Sequence, residues 1–204
     1  EPWSQDTETF AIFGQIRYDL TDALRLIAGG RFSTETKDYA FDRFFNVYGT
    51  SDIPLPATAP LGPFDPPLSA AADRSESKFT PTATLQYEVS DDLNAYLSFA
   101  KGHKTGGFSD RIDVAGADFE FDAEDHTSYE FGLKGNVAGG DLTFNFAAFW
   151  VDVEGLQLAT QVPGTVPSFS VDNAASVTSR GFEFDATWFV NDLVTVGVDY
   201  AYTD

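Results

Sequence analysis

No cysteine and no methionine occur anywhere in this 204-residue sequence, and histidine occurs twice. Thiolate metal sites and cysteine nucleophiles are therefore excluded, and a disulfide-stapled secreted module is disfavoured. Two histidines leave little room for a His-rich metal centre. Basic residues are scarce as well: 12 Lys and Arg stand against 32 Asp and Glu, a formal charge of −20. Phosphate binding needs clustered cations, so the reading includes no nucleic acid partner. No stretch offers the ~18 consecutive apolar residues of a membrane helix. The most apolar run, Leu142 to Val151, is short and contains Thr143 and Asn145. Glu1 to Glu8 has no apolar region of the kind a signal peptide needs, so the chain reads as a mature form or an excised segment. Catalytic signatures such as GxSxG and HExxH are missing, and no enzyme activity is expected.

What the sequence does have is aromatic content, 15% with 20 Phe, and a period of two. Phe10, Ile12, Gly14, Ile16, Tyr18 and Leu20 share one face of a first run, with Gln15, Arg17 and Asp19 on the other. After Thr21-Asp22 come Leu24, Leu26, Ala28, Gly30 and Phe32, opposed by Arg25, Arg31 and Ser33. Phe79, Pro81, Ala83, Leu85, Tyr87 and Val89 alternate with Thr80, Thr82, Thr84, Gln86 and Glu88. Past Ser90 to Asp92, Leu93, Ala95, Leu97 and Phe99 oppose Asn94, Tyr96 and Ser98. The fifth run sets Tyr129, Phe131, Leu133 and Val137 against Ser128, Glu130, Lys134 and Asn136, and Gly139-Gly140 leads to Leu142, Phe144, Phe146, Ala148 and Trp150. The last two place Phe182, Phe184, Ala186 and Trp188 opposite Glu183, Asp185 and Thr187, then Val194 to Tyr202 opposite Thr195 and Asp199. Eight strands in four hairpins follow, each near the ~10 residues of a tilted membrane strand, with no charge on the apolar faces.

The connections alternate in length. Four tight turns are separated by long segments near 35–77, 102–125 and 159–173, which are read as loops. Six prolines (Pro54, Pro56, Pro60, Pro63, Pro66 and Pro67) fall in the first of these, whereas Pro81 sits inside a strand, at a bulge or near the rim. Short turns at one end and long loops at the other are the habit of outer-membrane barrels. A soluble sandwich seldom tolerates such loops. Within 102–125, seven acids face Lys104 and Arg111, a net of −5 that could attract Ca²⁺ but reads better as a hydrated loop. His103 and His126 flank it and are read as solvated.

Four stretches in order are similar to TonB-dependent outer-membrane receptors. YLSFAKGHKTGGFSDR (Tyr96 to Arg111) resembles the family's strand ending in a basic-Gly-aromatic-Lys-x-Gly-Gly-Phe turn, with His103 where an aromatic is usual. EDHTSYEFGLKGNV (Glu124 to Val137) carries its Tyr-Glu-x-Gly-x-Lys core. LTFNFAAFWVDVEGLQL (Leu142 to Leu158) and Ser179 to Asp204 resemble later strands. The resemblance implies an all-β, antiparallel, up-and-down transmembrane barrel of about 22 strands, of which 1–204 supplies about eight, filled by a plug domain that this sequence does not show. It implies import of a scarce nutrient such as a ferric siderophore, driven through TonB, in the outer membrane of a Gram-negative bacterium. Lipid and lipopolysaccharide would surround it, and no cofactor or metal is expected. Arg17, Arg25, Arg31, Glu88, Tyr96, Glu130, Lys134, Glu183 and Asp185 are then expected to face the lumen, and His103, Lys104 and Arg111 the outer loops. Siderophore, haem, cobalamin and saccharide remain open as ligands. Two readings from other classes stand beside this one: a secreted glycan-binding β-sandwich and a small outer-membrane barrel enzyme.

Overall fold

In the computed structural model, residues 3–43, 68–109, 119–162 and 168–204 are described. They form β1 (Trp3–Asp19), β2 (Leu24–Arg43), β3 (Leu68–Ser90), β4 (Leu93–Lys104), β5 (Gly107–Phe108), β6 (Glu120–Phe121), β7 (Glu124–Val137), β8 (Leu142–Val162), β9 (Ser168–Asn191) and β10 (Val194–Thr203). Eight of them make one antiparallel meander in the order β1-β2-β3-β4-β7-β8-β9-β10, and β5 pairs with β6 apart from it. The hairpins and turns fall where the alternation placed them. At Thr21 the side-chain oxygen accepts from the backbone N–H of Ala23 and Leu24, and at Asn191 it accepts from that of Leu193, so short polar side chains close both turns.

The registers fix the two faces. One continuous row runs Tyr18, Leu26, Leu85, Leu97, Phe131, Ala148, Phe182, Tyr202, one residue from each strand of the meander. On the opposite face a row runs Glu88, Asn94, Lys134, Asn145, Asp185, Asp199. A one-residue slip anywhere would put charge among the apolar rows, so the pattern holds the register. The apolar face is open: Phe10, Ile12, Ile16 and Tyr18 are all well exposed. A β-sandwich would bury that face against a second sheet, which the described residues do not supply.

The strands outrun the alternation. β2 continues to Arg43 and β3 begins at Leu68, inside the segment read as the first long loop; β8 and β9 likewise enter the third. Above the first ~10 residues from each tight turn, the outer face changes character. Asp6, Asp38 and Asp73 stand directly opposite one another across β1, β2 and β3. Like charges so opposed are tolerable in water and costly in hydrocarbon, so this level lies outside the apolar band. The inner face inverts in the complementary sense. Tyr39 and Phe41 point inward and, with Phe108 from β5, make up the buried apolar core of the described residues, packed by Ala70, Ala72 and Phe119. Ring centroids of Tyr39 and Phe108 lie 5.2 Å apart.

Candidate functional site

All nine residues expected to share the polar face do so. Arg17 lies in β1, Arg25 and Arg31 in β2, Glu88 in β3, Tyr96 in β4, Glu130 and Lys134 in β7, and Glu183 and Asp185 in β9. Near the tight turns they pair along the sheet. Arg25 Nε donates to Asp19 at 2.5 Å, and Asn145 Nδ2 donates to Asp185 at 2.8 Å. Tyr96 donates its hydroxyl proton to Glu130 at 2.7 Å, while Lys134 sits 5.7 Å from the centre of the Tyr96 ring. That ring lies across Gly132, its register partner, where any Cβ would collide with it. The glycine is thus required by the tyrosine.

The denser chemistry lies at the far end, in the strand extensions. Arg74 of β3 reaches Glu120 (2.7 Å) and Asp122 (3.3 Å), with Glu76 at 3.5 Å, so one guanidinium holds both ends of β6. Lys37 of β2 donates to the Gly106 carbonyl at 2.6 Å and to Thr105 Oγ1 at 3.0 Å, and Thr105 in turn donates to Glu35. Tyr39 donates to the Ser109 carbonyl. From the opposite side, Gln157 Nε2 donates to the carbonyls of Thr105 and Asp122, and Asn173 Nδ2 to those of Asp122 and Gly155. Gly155 has φ of +67° where the β8–β9 register slips, a bulge that turns its carbonyl toward Asn173.

His103 and Lys104 are not loop residues; both belong to β4. By alternation from Phe99, His103 would sit on the apolar face. Instead it lines the same cleft, of about 310 Å³, as Thr9, Arg31, Ser33, Glu35, Glu76, Lys78, Lys104 and Thr105. The β3–β4 ladder ends at Thr82↔Ala100, one residue short of Pro81, which has no N–H to give. Beyond that point β4 stays paired with β7 alone, to Lys104↔Glu124, and its end is free to turn inward. His103 is therefore buried, its side chain 5% exposed, rather than solvated. Its Nδ1 lies 3.0 Å from Asp125 Oδ1 and its Nε2 2.9 Å from Glu76 Oε1. His126 Nε2 is 2.7 Å from Glu124 Oε1. Arg111 falls outside the described residues, as do Asp110, Asp113 and Asp118.

Three carboxyls of this level, Glu35, Glu124 and Asp125, are held below the ordinary carboxylate range. The backbone N–H of Gln157 donates to Glu124 and favours its charged form; burial opposes this, and His126 and Lys104 reinforce it. Burial raises Asp125, but hydrogen bonds from Lys78 and His103 outweigh that. Glu120, Asp122, Glu124 and Asp125 are thus engaged with protein groups, and among the described residues no three acids or histidines gather as a metal site would need.

Glu35, Lys37, Arg74, Glu76, Lys78, Thr105, Gln157 and Asn173 were not singled out from the sequence. A signal existed for the first five: Glu35 and Lys37, then Arg74, Glu76 and Lys78, keep the period of two on the polar face.

Comparison with known proteins adds the following. Residues 2–204 match the sequence profile described as TonB dependent receptor-like, beta-barrel. The pesticin receptor of Yersinia enterocolitica is 25% identical over 182 residues, covering 89% of this chain and 24% of that protein. The ferric-pyoverdine 358 receptor of Pseudomonas putida is 29% identical over 192 residues, covering 92% of this chain and 20% of that protein. The chain thus spans about a quarter of the length of the curated relatives it matches or less. Among solved structures, the ferric yersiniabactin uptake receptor of Yersinia pestis superposes with a TM-score of 0.73 at 20% identity, over 99% of this chain and 28% of that one, a likeness of fold.

Proposed function

This chain belongs to the TonB-dependent receptor-like β-barrel family, proteins of the Gram-negative outer membrane, and we propose that it is a section of barrel wall from a receptor that imports a scarce small molecule such as a ferric siderophore, driven through TonB. The observation that carries the reading is the pair of rows along the meander, an apolar one on one face across all eight strands and a polar one on the other across six. In hydrocarbon every backbone group must be paired within the wall, and charge must face away from lipid. The apolar rows then meet lipid and, in the outer leaflet, lipopolysaccharide. Arg17, Arg25, Arg31, Glu88, Tyr96, Glu130, Lys134, Glu183 and Asp185 line the lumen, and His103, Lys104 and Arg111 belong to the mouth. The relative named for ferric-pyoverdine favours an iron chelate over haem, cobalamin or saccharide. Catalysis has no part in this reading.

The test is uptake of radiolabelled iron chelates by cells carrying the whole receptor. Deleting its gene should abolish uptake of one chelate, and a strain lacking TonB should be equally deficient. Uptake that persists without TonB would overturn the proposal.

A further inference from the structure

The described residues between β4 and β7 do not stand away from the sheet. Residues 105–109 and 119–123 form a strap over the inner face of the extensions, tied to β2 and β3 by Lys37, Tyr39 and Arg74 and to β8 and β9 by Gln157 and Asn173. One tie at the strap's root differs from the rest. His103 occupies the place where the β3–β4 backbone ladder has ended, and its ring bridges a carboxylate on each side. Its Nε2 is shielded from solvent and has no aligned hydrogen-bond acceptor, yet Glu76 Oε1 stands 2.9 Å away.

A neutral imidazole has one N–H and one lone pair. If Nδ1 carries the proton toward Asp125, the lone pair of Nε2 faces the Glu76 carboxylate with no water between them. The imidazolium has an N–H for each carboxylate. Protonation of this ring therefore decides whether the contact between β3 and the root of the strap attracts or repels. The other charges around it are Lys78 of β3, which bonds Asp125 at 2.5 Å, and Arg74 of β3, which touches Glu76. Arg31 and Glu35 of β2 line the same cleft, and Lys104, on its own strand, and His126 of β7 engage Glu124.

We propose that His103 is a pH-operated latch on this strap: protonated, it joins Glu76 to Asp125 and holds the strap's root against β3; neutral, it releases Glu76 and the strap loosens. The latch rests on the import reading in one respect, that the strap would then narrow the ligand's way into the lumen. The sign follows from the ring gaining two anionic partners. The hold is present when the ring is charged and is lost when a rise in pH leaves it neutral. Arginine does not titrate there, so Arg74 keeps the strap in place while its root opens.

Amide hydrogen exchange on the whole receptor in detergent, at about pH 5.5 and about pH 8, reads the latch directly once the intrinsic pH effect is divided out. Strap amides at 106–109 and 119–122 should exchange roughly five-fold faster at the higher pH, the weight of about one net hydrogen bond. His103→Gln should erase the step, since its neutral amide does not titrate. Glu76→Gln should shrink it independently. Equal protection at both pH values in the unmodified receptor, or a full step surviving in His103→Gln, would overturn the latch. The two readings fail separately. A strap indifferent to pH in a receptor that still imports through TonB removes the latch alone, and an intact step without such uptake removes the import reading alone.

Discussion

Near the tight turns the sheet buries almost nothing of its own: its large apolar side chains, from Phe10 and Ile16 on β1 to Tyr200 on β10, are exposed on the outer face. Toward the other end the sense inverts. Asp38 and Asp73 face outward, Tyr39 and Phe41 face inward, and the strap covers them. The contrast separates two sources of stability. The first region takes its free energy from lipid outside and from the neighbouring strands at the β1 and β10 edges. The second carries a small core, at about 2 kcal/mol per buried ring, together with polar ties of its own. Secondary structure is the same in both, so it is the solvent on each face that decides which residues the sequence can place there.

The sharpest way to break this comparison is a charge on the outer face. Phe146→Arg or Leu85→Arg should cost about 2–4 kcal/mol in a receptor refolded into phospholipid vesicles, measured by denaturant titration. Asn145→Arg and Thr84→Arg, one residue away on the inner face, should cost far less. Similar losses at both faces would mean the apolar rows do not meet lipid. A second substitution addresses the extensions alone. Arg74→Ala removes charged hydrogen bonds to Glu120 and Asp122 and should cost about 2 kcal/mol of local stability. It should be read as faster amide exchange at 119–122, with the midpoint of global unfolding nearly unmoved. Coupled loss of both would show the two regions to be one cooperative unit.

The smallest effect expected is one of pH. Glu124 is held below the ordinary carboxylate range, first by the Gln157 N–H, so its stabilisation is full above the unfolded value and is lost as pH falls through the folded one. Acidification from neutral to well below about pH 4 should therefore loosen the junction between β7 and β8. Glu124→Gln should flatten that dependence. Asp125, also held low, loses its charge in the same acid range.

The eight membrane-length strands were legible because lipid enforces a strict period of two with a constant sense. The extensions were not, because the sense reverses there: in Glu35 to Arg43 the aromatic residues Tyr39 and Phe41 take the parity that Arg25 and Arg31 hold below. A reading that looks for apolar residues on one fixed parity stops at residue 34. His103 escaped for another reason. Its place depends on a ladder that ends beside Pro81, a proline the sequence marked as anomalous without showing which neighbouring strand would lose its partner. The nine residues of the inner face needed no such long-range fact, and their parity alone placed them.

The length of β9 has an electrostatic consequence. Its 24 residues, at about 3.3 Å each and tilted by about 40°, rise roughly 60 Å, against an apolar band of about 25 Å. The far end thus stands some 35 Å beyond the hydrocarbon, several times the Debye length of about 8 Å in physiological salt. A solute reaching that height no longer feels the charge of the lipid surface. What it meets is the local field of the protein, in a chain with a formal charge of −20.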